Sequence, residues 1–259
     1  METMFEAANR LIGPVQDGLA LGGVVFLRIG AAMAVLPAFG DRMVPARVRL
    51  VAALMFTLIV APALAPVLAL GPRPPWLRLL ATETIAGLSL GAAVRLFVIV
   101  LQTAGSMAAQ STSLAQIFGG ANVEPLPAIG HVMVIGGLAL AAMTGLHVKI
   151  VEYFLLSYDL MPAGVLPFAS DLMPWGIARV SQAFALAFTL AAPFLIASMI
   201  YNVALGVINK AMPQLMVAFV GAPAITAGAL ILLALSLPAI LELWAAALDR
   251  FLANPARPP

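Results

Sequence analysis

Long stretches without a charged residue constrain the fold of this chain more than any other feature of its sequence. Five such stretches occupy residues 50–70, 96–123, 125–148, 180–209 and 211–241. Each reaches the ~20 apolar residues that a helix needs to cross the hydrocarbon core of a membrane. Two further apolar stretches, residues 18–39 and 77–94, carry Arg28 and Glu83 in their interiors. The pattern therefore predicts an all-α, membrane-type protein with about six hydrophobic helices.

The composition indicates the same class. Hydrophobic residues make up 63% of the chain and charged residues only 9%, which leaves too little polar surface to cover a soluble globule of 259 residues. Lipid or partner proteins must cover the remainder. The net charge is only +2 and the charged residues are scattered singly. The sequence therefore predicts no nucleic-acid-binding surface. The absence of cysteine removes disulfides, thiolate metal sites and cysteine nucleophiles.

Proline and glycine mark the expected turns. They cluster in residues 40–45, 71–75, 119–127, 162–174 and 212–213. Six prolines inside or at the ends of apolar stretches should kink the helices: Pro37, Pro62, Pro66, Pro193, Pro223 and Pro238. We expect one domain over residues 1–253 and a short disordered end over residues 254–259. Positive residues are divided between both sides of a six-helix arrangement, which leaves the orientation open.

Small residues predict close packing between helices. Gly87 and Gly91 are four residues apart, and Gly137, Ala141 and Gly145 repeat this spacing. Small residues at this spacing let a second helix approach closely. The alternative is that glycine is simply common in membrane helices.

A polar but uncharged face follows in the same region of the chain. Gln102, Ser106, Gln110 and Ser113 recur at four- and three-residue spacing, so they share one face of a helix. This face either lines water or forms hydrogen bonds to neighbouring helices. Spacing alone slightly favours the second interpretation.

Isolated ionisable residues in apolar stretches are costly, which singles out Arg28, Glu83 and Arg95. Glu83 and Arg95 lie about 18 Å apart along a helix and do not pair. We therefore expect a buried pair between Arg28 and Glu83, which is either structural or part of a proton or ion path. As a simple pair it should partly tolerate exchange of its two charges.

No catalytic constellation is visible in the sequence. His131 and His147 lie at opposite ends of one apolar stretch and cannot share a metal ion. Ser157, Tyr158 and Asp159 resemble a nucleophile site only in composition, because no nearby residue supplies an oriented base. We expect no enzyme activity, no cofactor and no metal.

Ordered motifs resemble one family of proteins. The first are Arg28-Ile29-Gly30-Ala31-Ala32-Met33, Leu36-Pro37-Ala38-Phe39-Gly40 and Val44-Pro45-Ala46-Arg47-Val48-Arg49-Leu50. The next are Glu83, Gly87, Gly91, Gln102, Ala104-Gly105, Gln110, Gly145, His147, Ser157, Pro162 and Gly164. The last are residues 202–206, Pro213-Gln214, Phe219-Val220-Gly221 and Pro223. Over residues 20–240 their order and spacing resemble the FliR family of flagellar type III export-gate subunits, called SctT in virulence systems.

The resemblance implies a subunit that assembles with FliP and FliQ into a helical export gate, alongside FlhB and other export-apparatus proteins. It implies bent helical hairpins packed into a shell that stands largely above the lipid plane, at the inner membrane of the flagellar basal body, with partner subunits covering apolar surface that composition alone assigns to lipid. Unfolded substrates would cross this gate. The subunit would contribute packing, a constriction and gating rather than bond chemistry.

The turn chemistry of residues 111–126 predicts a loop between two apolar helices. In the family resembled, the corresponding loop plugs the channel. By that resemblance Ile117, Phe118 and Val123 would seal the gate, and Gly119 and Gly120 would let the loop bend. The predicted loop also contains Asn122, Glu124 and Pro125. The alternative is an ordinary surface connection.

Two other functions remain open at this point. An injectisome paralogue would share the same motifs. A secondary transporter of a small solute would use broken helices with polar residues at mid-membrane, but it should also show an internal repeat. An intramembrane hydrolase is less favoured than either, because the chain lacks a paired nucleophile and base.

Overall fold

The computed structural model of the chain describes residues 2–37, 39–40, 44–68, 75–113, 128–166, 168–212 and 217–256. In residues 2–15, 67–68, 112–113 and 217–223 the description covers the backbone alone. The described residues form seven α-helices and no strand: α1 (Glu2–Val35), α2 (Ala46–Leu68), α3 (Trp76–Ser113), α4 (Ala128–Met143), α5 (Leu146–Leu160), α6 (Ala169–Ala211) and α7 (Val217–Ala253). The all-α class predicted from the sequence is confirmed.

The lengths of these helices agree with a membrane protein. Five helices, α1, α2, α3, α6 and α7, contain segments long and apolar enough to cross a membrane. The pair α4 and α5 forms a sixth if the two helices count as one interrupted span. Within the apolar segments only 17% to 44% of the residues are buried inside the chain. Most of their side chains therefore need lipid or another protein to cover them.

Proline fixes several helix ends. α1 ends at Val35 and α5 ends at Leu160, each two residues before a proline, because proline restricts the residue before it to extended conformations. α2 and α3 begin directly after Pro45 and Pro75. The carbonyls of these two prolines accept the backbone N–H groups of Val48 and Arg78, at 3.0 and 2.9 Å.

One boundary differs from the sequence prediction. The stretches on either side of Arg95 form one helix, α3, because arginine is a good helix former and neither glycine nor proline interrupts the chain there. The stretch 125–148, in contrast, is divided at Thr144 and Gly145. Gly145 has a φ of 82°, a conformation that glycine adopts without steric cost.

The chain divides into two compact units. The first contains residues 1–95, 145–177 and 251–258. In it α1 packs along α2, and α2 contacts α5. Its buried core includes Val25, Ile29, Met33, Val60, Leu64, Leu90, Tyr153, Phe154 and Phe251. The hydroxyl of Tyr153 donates a hydrogen bond to the carbonyl of Leu90 at 3.2 Å, and its ring centroid lies 5.6 Å from that of Phe251.

The C-terminal segment packs in this first unit. The indole Nε1 of Trp175 donates a hydrogen bond to the carbonyl of Pro255 at 2.9 Å, and Pro255 is buried. Pro255 belongs to the segment 254–259 for which a disordered end was expected. Residues 257–259 lie outside the described part of the chain.

The second unit contains residues 96–144 and 178–250. Trp244 on α7 is buried, and its indole N–H donates to the carbonyl of Phe97 on α3 at 2.7 Å. Gly137 on α4 faces the same tryptophan. A Cβ added to Gly137 would lie 3.4 Å from the Trp244 ring and 2.5 Å from Leu101. The packing role of Gly137 stays a prediction, which these short distances favour.

Candidate functional site

A buried ion pair lies in the core of the first unit. Arg28 on α1 and Glu83 on α3 are each 0% exposed. The guanidinium Nε of Arg28 donates to Oε2 of Glu83 at 2.8 Å. The structure thus brings together the two isolated charges that the sequence predicted to pair. Such a pair is stable only if its remaining donors and acceptors are also satisfied.

Arg28 satisfies its other donors on the end of α5. Its Nη1 donates to the carbonyl of Ser157 at 3.0 Å and to the hydroxyl of Ser157 at 3.1 Å. Its Nη2 donates to the carbonyl of Met161 at 2.7 Å. The guanidinium carbon also lies 3.6 Å from the ring centroid of Tyr158, which is a cation–π contact. One arginine therefore binds two carbonyls at the end of α5: that of Ser157, which also accepts the N–H of Met161 at 2.9 Å, and that of Met161, the residue that follows the helix.

Glu83 holds the turn that follows α5. Its second oxygen, Oε1, accepts the backbone N–H of Gly164 at 3.1 Å. Gly164 has a φ of 73°, which only glycine adopts readily. The pair therefore connects α1, α3 and the turn after α5. Because both oxygens of Glu83 and three nitrogens of Arg28 are already engaged, the geometry favours a structural role over an ion path.

Close contact between α1 and α3 lets this pair form. Glu83, Gly87 and Gly91 follow one another at four-residue spacing and share one face of α3. A Cβ added to Gly87 would lie against the carbonyl oxygen of Arg28, and one added to Gly91 would lie 2.6 Å from that of Ala32. The backbones of the two helices are therefore in contact, so the short side chain of Glu83 reaches its partner.

One predicted packing residue has a different role. Nothing lies within 4 Å of a Cβ placed on Gly145, and its φ is positive. Gly145 therefore forms the turn between α4 and α5 rather than a packing surface, which corrects the sequence prediction. Four-residue spacing from Ala141 produced the error, because that spacing has meaning only within a continuous helix. Ala141 itself is buried on α4.

The polar face of α3 lies in the second unit. Gln102 and Ser106 are half-buried and Gln110 is exposed, while the side chain of Ser113 lies outside the described set. Across the described residues, the side chains of Gln102, Ser106 and Gln110 form no hydrogen bond with this chain. Both interpretations of this face, a lining for water and hydrogen bonds to neighbouring helices, stay predictions.

Two glycines that the sequence did not single out for helix packing lie against each other near this polar face. A Cβ added to Gly105 on α3 would lie against the Cα of Gly130 on α4. The helices on either side of residues 114–127 therefore touch through their backbones. The sequence indicated this contact only weakly, because Gly130 has no small residue four positions before or after it. Like these glycines, the Ser157 and Met161 carbonyls that bind Arg28 were not predicted.

Residues 114–126 of the predicted plug loop lie outside the described residues, whereas residues 111–113, which were also expected in the loop, form the end of α3. This applies to all its named members: Ile117, Phe118, Gly119, Gly120, Asn122, Val123, Glu124 and Pro125. Its role stays a prediction.

The remaining reactive side chains form no catalytic arrangement in the described part of the chain. The hydroxyl of Ser157 donates to the carbonyl of Phe154 at 2.6 Å rather than to a base. Residues 87–91 match the pattern G-x-S-x-G, which needs a sharp turn between a strand and a helix to act as a nucleophile elbow. They instead lie inside α3, where Ser89 donates to the carbonyl of Ile85 at 2.8 Å.

Ionisable groups outside the pair are also dispersed. His131 and His147 are both exposed, and no three metal-binding side chains cluster anywhere in the described ranges. Arg95 is exposed as well, and its Nη1 lies 3.4 Å from the carbonyl of Val35 at the end of α1.

Long apolar helices that enclose a neutral, fully buried ion pair define a helical protein of the membrane type. The model of one family, described as bacterial export proteins, family 1, matches residues 19–251. Flagellar biosynthetic protein FliR of Caulobacter vibrioides is 33% identical over 86% of this chain and 91% of its own length. The FliR proteins of Bacillus subtilis and Escherichia coli are each 26% identical, over 77% and 83% of this chain and 79% and 83% of their own lengths.

The chain belongs to the FliR family of bacterial export proteins. It is a membrane component of the flagellar type III export apparatus, and its family is one of transport components. The resemblance found in the motifs is thereby confirmed.

Proposed function

We propose that this chain forms, with FliP and FliQ, the gate through which unfolded flagellar substrates cross the bacterial inner membrane at the basal body. In this proposal FlhB lies beside the gate, and residues 1–253 act as one subunit. The subunit contributes packing, a constriction and gating and carries out no bond chemistry. The flagellar relatives favour this function over an injectisome gate.

The proposal that partner subunits cover the chain rests on the length of one exposed apolar face. The part of α6 in the second unit, residues 178–211, is about 51 Å long. Hydrocarbon is only ~30 Å thick. Large apolar side chains are nonetheless exposed along this length, including Phe184 at 61%, Met199 at 71% and Val207 at 65%. Lipid alone cannot cover this face, so other protein chains must cover the rest.

A test of this assembly compares the chain alone with the chain produced together with FliP and FliQ. We expect a stable complex only in the second case. Replacing Phe188, which is exposed on the same face of α6, by arginine should lower the yield of complex by about tenfold or more, because a buried interface residue becomes an unpaired charge. Phe188→Leu, which keeps an apolar side chain, is the matched control. The proposal is contradicted if the chain is monodisperse when it is produced alone and binds neither FliP nor FliQ.

The polar face of α3 is proposed to line the passage. Residues 96–113 contain no charged side chain, whereas Gln102, Ser106 and Gln110 have no partner within the described chain. Amide and hydroxyl groups facing hydrocarbon are unfavourable, but facing water they cost nothing. An uncharged polar lining also has no charged side chain that could bind a passing substrate. Ser113 extends this face in the sequence pattern.

Residues 117–125 are proposed to plug the closed gate. The helices on either side of this segment touch at Gly105 and Gly130, and the sequence predicts a loop between them. A loop at membrane depth is tolerated only inside protein or beside a water-filled cavity. Deleting residues 118–122 should leave assembly intact and make the membrane permeable to small ions. Ion flux in vesicles that contain the complex is the measurement. The same variant without FliP should leak nothing, and an assembled but tight complex would exclude the plug.

A further inference from the structure

Arg95 is the third isolated charge of the apolar stretches, and in the described part of the chain it has no acidic partner. Its guanidinium engages a single acceptor there, the carbonyl of Val35, which lies 3.4 Å from Nη1. A guanidinium carries five N–H donors, so most of them are left for water or for another molecule. Any protein that covers Arg95 must therefore compensate its charge.

Arg95 ends an exposed seam of α3. All six residues of this seam are exposed: Arg78, Ala81, Ile85, Leu88, Ala92 and Arg95. Their spacing alternates between three and four residues, which is the pattern of a helix that packs along a second helix. The seam lies within the first unit and is about 26 Å long from Arg78 to Arg95.

The middle of the seam is shaped for another helix. Ile85 and Leu88 are 39% and 40% exposed, and such side chains insert between the residues of a facing helix. Ala81 and Ala92 are small, so they leave room for large side chains from that helix. Water is an unfavourable cover for the apolar residues, and hydrocarbon is an unfavourable cover for Arg95. Protein can cover both.

The two arginines indicate the charge of the occupant. Like Arg95, Arg78 has no acidic partner in the described ranges. A helix that covers the seam takes the guanidinium of Arg95 out of water, which is strongly unfavourable without a carboxylate beside it. We propose that the seam binds an apolar helix of a partner subunit, with an Asp or Glu opposite Arg95 and a second acidic residue opposite Arg78. This inference rests on the proposed function, in which FliP or FliQ supplies the helix.

The first test changes the charge of the seam in the full chain, produced together with FliP and FliQ. Arg95→Glu should lower the yield of complex by about tenfold or more, because two carboxylates would then face each other. Arg95→Lys keeps the positive charge and should retain about half of the yield or more. Arg47→Glu is the control, because Arg47 is exposed on α2 and lies outside the seam. It should assemble normally.

The Arg95→Lys variant also identifies the acidic residue of the partner. A carbodiimide joins an amine to a carboxylate only where the two groups are in contact, and mass spectrometry of the cross-linked complex locates the new amide bond. We expect a bond from position 95 to an Asp or Glu of FliP or FliQ. Replacing that acidic residue by arginine should return the yield of Arg95→Glu to within about twofold of the unchanged complex. A role of Arg95 limited to the carbonyl of Val35 predicts no such recovery.

Three results would overturn the inference while the unchanged chain still assembles with FliP and FliQ. The first is a normal yield of complex from Arg95→Glu. The second is an amide bond from position 95 to a carboxylate of this chain, or no amide bond at all. The third is no recovery when the two charges are exchanged across the interface. If the unchanged chain binds neither FliP nor FliQ, the proposed function is wrong and the inference falls with it.

Discussion

Glu83→Gln is expected to destabilise the first unit by about 3–5 kcal/mol, because it leaves the Arg28 guanidinium buried without a countercharge. Glutamine can still accept the N–H of Gly164, so the loss reports the charge rather than the turn. The midpoint temperature of unfolding in detergent and the amount of chain recovered from membranes measure the effect. Glu152→Gln is the matched control, because Glu152 is exposed on α5 in the same unit. If Glu83→Gln and Glu152→Gln have the same unfolding temperature and the same recovery from membranes, the ion pair contributes nothing to stability.

Exchange of the two charges is expected to give no rescue, contrary to the expectation from the sequence alone. In the variant Arg28→Glu with Glu83→Arg, the new carboxylate faces the carbonyls of Ser157 and Met161, which are acceptors. The new guanidinium faces the N–H of Gly164, which is a donor. Both contacts become unfavourable while the ion pair itself is kept. If the double variant were more stable than either single variant, this would contradict the arrangement of Arg28, Glu83 and the backbone groups that they bind.

Gly87→Ala is the second change with a large expected effect. The added Cβ would lie against the carbonyl oxygen of Arg28, and this backbone atom cannot rotate away as a side chain would. The two helices must therefore move apart, which should lower the free energy of unfolding by about 1–3 kcal/mol or more. We expect a lower unfolding temperature and a reduced yield of complex, and Gly87→Leu should abolish assembly.

Gly22→Ala on α1 is the control for this substitution, because nothing lies within 4 Å of the added atom. It should be neutral or slightly stabilising, since alanine favours helix over glycine. Gly87→Ala should also cost less in the Glu83→Gln background, because separation of the helices already weakens the same pair. Strict additivity of the two changes would show that the close contact and the ion pair are independent.

The sequence determined the class of this protein and one of its central contacts. Uncharged stretches longer than a membrane is thick require helices covered by lipid or protein, whatever their arrangement. Arg28 and Glu83 were predictable as a pair, because an isolated charge in an apolar stretch must find a partner. The spacing of Gly87 and Gly91 identified the face on which these helices meet.

Only the tertiary structure decided what else the pair binds. Arg28 donates to the carbonyls of Ser157 and Met161, and every residue has such a carbonyl, so no residue type signals these contacts. The meeting of Gly105 with Gly130, and the turn at Gly145, depend on where helices end and cross. Helix ends and crossings arise from packing between segments distant in the sequence, which local patterns along one chain do not encode.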